Sequence, residues 1–214
     1  MNIDSFIEKV VSYFTEPSFA DEVISAKQEF FEKAGIIDEQ SAEFETRMAQ
    51  FLDWYLFTRP IKEVGKTPII LATEIEELKS GSEAQDILQK LAETKHSLFE
   101  FIKIKGEDVY LKDLIANKKL VLKKSPIVVG FTPEEIFDAR LIPDGNSFVF
   151  SNGFCFHPAQ ARKYILKGIK KVRKLPIEEH EALMLKLIKM RYRLEQYKHV
   201  KVEHIYNDES KLKI

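Results

Sequence analysis

The segment "SLFEFIKIKGEDVYLKDL", residues 97–114, marks the change from helical to extended structure along the chain. Apolar and polar residues alternate on both sides of Gly106, which is typical of two strands joined by a tight turn. Two similar segments follow, "KKLVLKKSPIVV" at 118–129 and "EEIFDARLIPDGNSFVFSNGFCFHP" at 134–158. The second contains Asp144-Gly145 and Asn152-Gly153, dipeptides that favour hairpin turns because they tolerate positive φ. We therefore predict five or six strands over residues 97–157, forming a small antiparallel β-barrel or a strongly bent sheet.

Helical patterns lie on both sides of this segment. Near the start, Ile3, Phe6, Val10 and Phe14 recur at helical spacing, and similar stripes continue toward residue 96. After residue 157 the pattern predicts two more helices, a short basic one over 159–173 and an apolar one over 177–197. The predicted fold is α+β, with an N-terminal helical bundle (1–96), the antiparallel sheet (97–157) and two C-terminal helices packed on the rest (158–214).

The amino-acid composition limits the classes of protein to which this chain can belong. The chain has 214 residues, 44% of them hydrophobic, which is enough to bury a core and argues against disorder. The first residues, "MNIDSFIEKV", have no basic segment followed by an apolar stretch, and Cys155 is the only cysteine. These features lead us to expect a cytoplasmic protein without a disulfide or a membrane span. Residues 1–100 carry 20 acidic and 10 basic side chains, whereas residues 101–214 carry 14 and 23. That asymmetry is typical of an anionic partner, of two halves that face each other, or of two charged surfaces that are simply solvated.

The segment "FLDWYLFTRPIKEVGKTP", residues 51–68, ends like a phosphate-binding loop. The motif needs a glycine five residues before Gly65, but Pro60 stands there and has no N–H to offer a phosphate. The preceding apolar residues have helical rather than strand spacing, and Thr67-Pro68 is typical of a helix start. We therefore predict a helix end near Thr58 and a new helix from Thr67, and no nucleotide site.

Metal and nucleophile motifs are incomplete. "HEALM" at 180–184 begins like a zinc-protease motif, but Met184 stands where the second histidine is needed. Cys155 and His157 would share one strand face, where we expect buried residues rather than half of a zinc site or a reactive pair. No cofactor, metal site or catalytic residue is predicted.

The basic helix gives the strongest electrostatic signal. In "AQARKYILKGIKKVRK", residues 159–174, four lysines fall on one side of a helix whose other side is apolar. Such a stripe could bind an anionic partner, remain an ordinary solvated face or dock on the acidic N-terminal half. Two arginines elsewhere are further candidates for anion binding, although structural ion pairs are the commoner role. The candidate anion- or partner-binding residues are Lys163, Lys167, Lys170, Lys174, Arg59 and Arg140. Trp54 lies off the main apolar stripe of its helix and is expected to pack between the helices and the sheet.

Four segments carry a resemblance to a known family. They are "FLDWYLF-x-RP…GKTP", "SLFEF…VYLKDL", "EIFDARLIPDG…FHP" and "MRYRLEQYKHVKVEHIY". In order and spacing they resemble a family of uncharacterised bacterial proteins, over residues 44–160 and 190–206. The resemblance implies a conserved structural unit and carries no activity, cofactor or site residue with it.

These observations favour a non-enzymatic interaction or regulatory protein that binds another protein through the β module and the basic helix. Two alternatives stay open. One is a protein that binds RNA or single-stranded nucleic acid through the lysines. The other is an enzyme whose site is assembled from residues distant in sequence, which a deep pocket with converging polar groups would favour. The oligomeric state is not predicted.

Overall fold

The computed structural model describes residues 2–36, 39–126, 130–132 and 134–208. Helices come first along the chain, then a six-stranded sheet, then helices again, which confirms the α+β prediction. The N-terminal helices are α1 (Ile3–Phe14), α2 (Ala20–Ala34), α3 (Phe44–Phe57), α4 (Pro68–Ala72) and α5 (Ser82–Ala92), with a short 3₁₀ turn at Pro17–Phe19. The strands are β1 (Lys95–Lys105), β2 (Asp108–Asp113), β3 (Lys118–Leu122), β4 (Ile136–Asp144), β5 (Ser147–Phe150) and β6 (Cys155–His157). A 3₁₀ turn (Ala159–Ala161) then leads into α6 (Arg162–Val172), α7 (Ile177–Gln196) and α8 (Val202–Ile205).

Helix α4 begins where the sequence predicts. The Thr67 hydroxyl accepts a hydrogen bond from the Ile70 amide at 3.4 Å, and Pro68 occupies the first helical position. Helix α3 ends at Phe57, one residue before Thr58. The Lys66 ammonium, the end of the apparent phosphate motif, pairs with Glu74 at 2.5 Å. The Gly-Lys-Thr-Pro sequence therefore joins two helices.

The sheet is antiparallel throughout and is an open half-barrel with the order β3-β2-β1-β4-β5. The β4–β5 hairpin at Asp144-Gly145 is confirmed, with Gly145 at a φ of 57°. The predicted hairpin at Asn152-Gly153 is wrong, because β5 and β6 both pair with β4 and form successive parts of one returning strand. A Cβ on Gly153 would lie only 2.7 Å from the Cβ of Asp53. Glycine is thus used here for close approach to α3 rather than for a turn.

Three apolar clusters hold these layers together. The first joins the N-terminal helices to the sheet: Trp54 packs with its ring 5.4 Å from that of Phe30, in a cluster that also includes Ile142 of β4 and Cys155 of β6. The second lies between α6, α7 and the sheet, and the third is phenylalanine-rich and lies within the half-barrel. Among the described helices, none combines the length and apolar character needed to span a bilayer.

Candidate functional site

A cleft of about 900 Å³ opens between α3, α4, the sheet and α7. Most of its wall is apolar, and Ile177 at its edge is 59% exposed. The volume lies in the range of small-molecule pockets, which are usually apolar with a few converging polar groups. The apolar residues that line the cleft are Trp54, Phe57, Pro60, Ile69, Ile70, Leu91, Ala92, Ile177, Ala182 and Leu185.

Sheet register places the polar groups at the inner end of the cleft. His96 of β1 lies directly opposite Arg140 of β4, and Asp138 is two residues before Arg140 on the same strand. Directly paired residues share a face of the sheet, as do residues two apart along a strand. The three side chains therefore lie together, although residues 96 and 138 are 42 positions apart in sequence.

Arg140 is 4% exposed and is held on several sides. Its Nε donates to Asp53 Oδ2 at 2.8 Å, and its terminal nitrogens donate to Thr58 Oγ1 at 2.8 Å and Thr94 Oγ1 at 3.3 Å. The guanidinium carbon also lies 4.9 Å from the ring centre of Phe57. These acceptors use three of the five N–H groups of an arginine. Arg140, Thr58 and Thr94 all line the cleft.

His96 bridges two carboxylates beside Arg140. Its Nε2 lies 2.6 Å from Asp138 Oδ1, and its Nδ1 lies 2.9 Å from both carboxylate oxygens of Glu181 on α7. Burial acts to lower the pKa of His96, but the two carboxylates outweigh burial and raise this pKa to about 10. The ring is therefore an imidazolium at neutral pH, and both nitrogens donate hydrogen bonds.

The two carboxylates differ in their surroundings. Asp138 is 1% exposed, and burial raises its pKa against the opposing effect of His96. Glu181 is 14% exposed at the cleft. Burial acts to raise the pKa of Glu181 as well, but the charge of His96 outweighs it and lowers this pKa. Glu181 is therefore the ionised carboxylate that the inner end presents to the cleft.

Arg59 also lines this cleft and is 3% exposed. It forms ion pairs with Glu22 and, at 2.8 Å, with Glu29. The fold thus brings Arg59 and Arg140 to one cleft, and each guanidinium already holds a carboxylate of the protein.

The four lysines of the predicted stripe lie elsewhere. Lys163, Lys167 and Lys170 are exposed on α6, and Lys174 is exposed in the turn that follows. Helix α6 packs through Ile165 and Ile169 in the second apolar cluster. Within the described part of the chain, no salt bridge to a carboxylate is found for any of the four. None of them lines the cleft.

Cys155 and His157 are both buried on one face of β6. Burial raises the pKa of the Cys155 thiol and lowers the pKa of His157 to about 3. His157 Nδ1 lies 3.1 Å from the hydroxyl of Tyr206, on the segment after α8. No group of three or more histidine, cysteine or acidic side chains arranged to hold a metal ion occurs among the residues that the structure describes.

Local sequence patterns do not identify His96, Asp138 and Glu181 as site residues. A signal was present, because Asp138 and Arg140 interrupt the apolar run "IFDARLI" of a strand that is buried from Ile136 to Ile142. Charged side chains in such a strand need partners. Which partners they have depends on strand register and on the docking of α7, neither of which is visible locally.

The chain belongs to DUF7986, a family of unknown function whose model matches residues 5–203. No curated protein and no solved structure matches the chain.

Proposed function

We propose that this is a non-enzymatic regulatory protein whose cleft binds a small organic carboxylate. The observation that carries the proposal is the position of Arg140, a buried guanidinium at the inner end of a cleft whose exposed wall is mostly apolar. The apolar wall would take the body of the ligand, and Arg140 with the Thr58 and Thr94 hydroxyls would take its carboxylate.

The N–H donors of Arg140 that the described residues leave unused support its assignment as the carboxylate-binding group. Three acceptors hold the side chain in place, and only one of them, Asp53, is charged. The terminal nitrogens keep N–H groups for a ligand, and a guanidinium fork suits the two oxygens of a carboxylate. Because the protein fixes the fork in advance, a ligand loses little free energy in ordering it.

The histidine in the cleft supports binding rather than catalysis. A general base needs a free ring nitrogen, whereas both nitrogens of His96 are engaged by carboxylates. The lowered pKa of Glu181 leaves this carboxyl without a proton to donate at neutral pH.

Trp54 offers a direct assay, because it is the only tryptophan and it lines the cleft. We would titrate the protein with 3-phenylpropionate and with 3-phenylpropionamide, which keeps the shape and removes the charge. The carboxylate should change the tryptophan fluorescence and bind at least about tenfold more tightly than the amide, since hydrogen bonds to charged groups contribute about 1.5–3 kcal/mol.

Arg140→Lys keeps the charge near Asp53 but removes the fork, and should weaken 3-phenylpropionate binding by about tenfold or more. Arg162→Lys is the matched control, because Arg162 pairs with Glu100 outside the cleft. Equal affinities for the acid and the amide, or no effect of Arg140→Lys, would refute the proposal.

The exposed lysines favour a second candidate function, the binding of single-stranded nucleic acid by α6. Four neutralised phosphates would give log affinity against log salt a slope of about −3, at about −0.7 each. Replacing Lys167 and Lys170 by alanine should halve that slope. Lys27→Ala with Lys62→Ala removes the same charge from the acidic half and should leave the slope unchanged. A slope that the α6 substitutions do not alter would exclude this surface, and binding to an acidic protein instead would assign α6 to a protein partner.

A further inference from the structure

The inner end of the cleft presents two opposite charges side by side. Arg140 and Glu181 both line it, and each is paired with a different group of the protein, Arg140 with Asp53 and Glu181 with His96. His96 links them in space, since it lies opposite Arg140 in the sheet and 2.9 Å from Glu181. A ligand that reaches Arg140 is therefore also close to an ionised carboxylate.

Glu181 has capacity for a further donor. A carboxylate offers about four lone-pair sites, and His96 occupies the side of Glu181 that faces the sheet with a single N–H shared between both oxygens. The side chain remains 14% exposed, and that exposure is at the cleft. The imidazolium keeps Glu181 fixed and ionised.

The charges at this end also come close to balancing. Arg140 and His96 contribute two positive charges, and Asp53, Asp138 and Glu181 contribute three carboxyl groups, of which Asp138 is almost completely buried. A simple anion would be attracted by Arg140 but repelled by the carboxylate of Glu181 nearby. A ligand that carries an ammonium next to its carboxylate satisfies both groups.

We infer that the ligand of this cleft is an apolar α-amino acid, with Arg140 binding its carboxylate, Glu181 binding its ammonium and the apolar wall holding its side chain. This inference rests on the proposed function and adds the ammonium and the residue that recognises it. The wall formed by Trp54, Phe57, Ile69 and Leu185 suits an aromatic or branched aliphatic side chain.

Phenylalanine and 3-phenylpropionate are a matched pair of probes, because they differ only in the ammonium group. In Trp54 fluorescence titrations at pH 7, phenylalanine should bind the wild-type protein at least about tenfold more tightly, the effect of one charge-assisted hydrogen bond. In Glu181→Gln this preference should disappear, so that the two probes bind with about equal affinity. Glu178→Gln is the control, since Glu178 also lines the cleft but is exposed and does not pair with His96.

Comparing the affinities of the two probes for the wild-type protein is sufficient to test the inference, because this comparison does not depend on the folding of a variant. Equal affinities for phenylalanine and 3-phenylpropionate would overturn the amino-acid assignment while leaving the carboxylate site intact. Absence of binding by both probes would overturn the proposed function together with this inference. Retention of the preference in Glu181→Gln would show that another group binds the ammonium.

Discussion

Replacing His96 by glutamine should destabilise the protein and remove much of its pH dependence between pH 6.5 and 8.5. Glutamine has a similar length but no charge, so the substitution leaves Asp138 and Glu181 facing each other without the intervening cation. Asp138 is 1% exposed and Glu181 14%, so solvent screens this repulsion poorly. Removing one partner of a buried ion pair typically costs about 3–5 kcal/mol.

The pKa of His96 gives an independent magnitude. A rise of this pKa from 6.5 to about 10 on folding corresponds to at most about 5 kcal/mol, at 1.36 kcal/mol per pKa unit. Because the folded protein holds this proton more tightly than the unfolded chain, the stabilisation is fully present below pH 6.5. It declines as pH rises toward 10, by up to about 1.4 kcal/mol per pH unit, or about 2 kcal/mol between pH 6.5 and 8.5, because the slope reaches its full value only above the unfolded pKa.

Urea unfolding followed by Trp54 fluorescence would measure the free energy of unfolding at several pH values in that window. The difference between wild type and His96→Gln should be largest at pH 6.5 and shrink steadily toward pH 8.5. Burial also raises the pKa of the Cys155 thiol, but its contribution is common to both proteins and cancels in this difference. Parallel pH profiles for the two proteins would refute the assignment of His96 as a buried imidazolium.

Gly153→Ala should lower the free energy of unfolding by about 1–3 kcal/mol, because the new methyl would overlap Asp53. Ser151→Ala, its neighbouring control, should be neutral or stabilising in the same urea assay, since it removes a buried hydroxyl for which the described residues offer no hydrogen-bond partner. His157→Leu should flatten the loss of stability on acidification below pH 6.5. The pKa of His157 is lowered to about 3 by burial, so the unfolded chain takes up this proton first; an unchanged acid limb in urea melts would contradict this. Asp53→Asn should reduce stability yet tighten binding of 3-phenylpropionate, because Arg140 loses the carboxylate of Asp53 as a partner; weaker binding in the fluorescence titration would count against Arg140 as the anion site.

The order of helices and strands could be predicted because it depends on local periodicity. Residues 97–114 alternate as strands do, and Thr67-Pro68 supplies the cap that starts α4. Composition alone could not distinguish the Asn152-Gly153 segment from a hairpin turn. Gly153 is instead required for close packing against α3, about 100 residues away. The same glycine preference arises from positive φ and from close approach, and only the tertiary structure separates the two.

The candidate site was only partly predictable for a related reason. Arg59 and Arg140 were recognisable as isolated charges in apolar surroundings, but their common cleft depends on how α3 and α7 pack against the sheet. His96 and Glu181 are 85 residues apart in sequence and come together only when α7 docks. Local patterns identify charged residues that need partners, and the packing of the elements decides which partners they have.

Two other buried charges in this protein, Arg47 and Asp113, satisfy backbone groups. Arg47 donates to the carbonyls of Ala34 and Gly35 at 2.6 and 2.8 Å, which closes the end of α2, and Asp113 accepts the Ala116 amide at 2.9 Å. Removing either would leave main-chain groups unpaired.

The Arg140 guanidinium does not hydrogen-bond to these backbone groups, because its acceptors are the side chains of Asp53, Thr58 and Thr94. Replacing a buried ion pair by apolar residues of similar volume is often neutral or stabilising, so stability alone does not account for a charge at this position. The proposed ligand would account for it, since Arg140 lines the cleft and, among the described residues, finds acceptors for three of its five N–H donors. Arg47 donates to backbone carbonyls, whereas Arg140 donates only to side chains. This difference supports a role for Arg140 in binding a ligand, whatever the identity of that ligand.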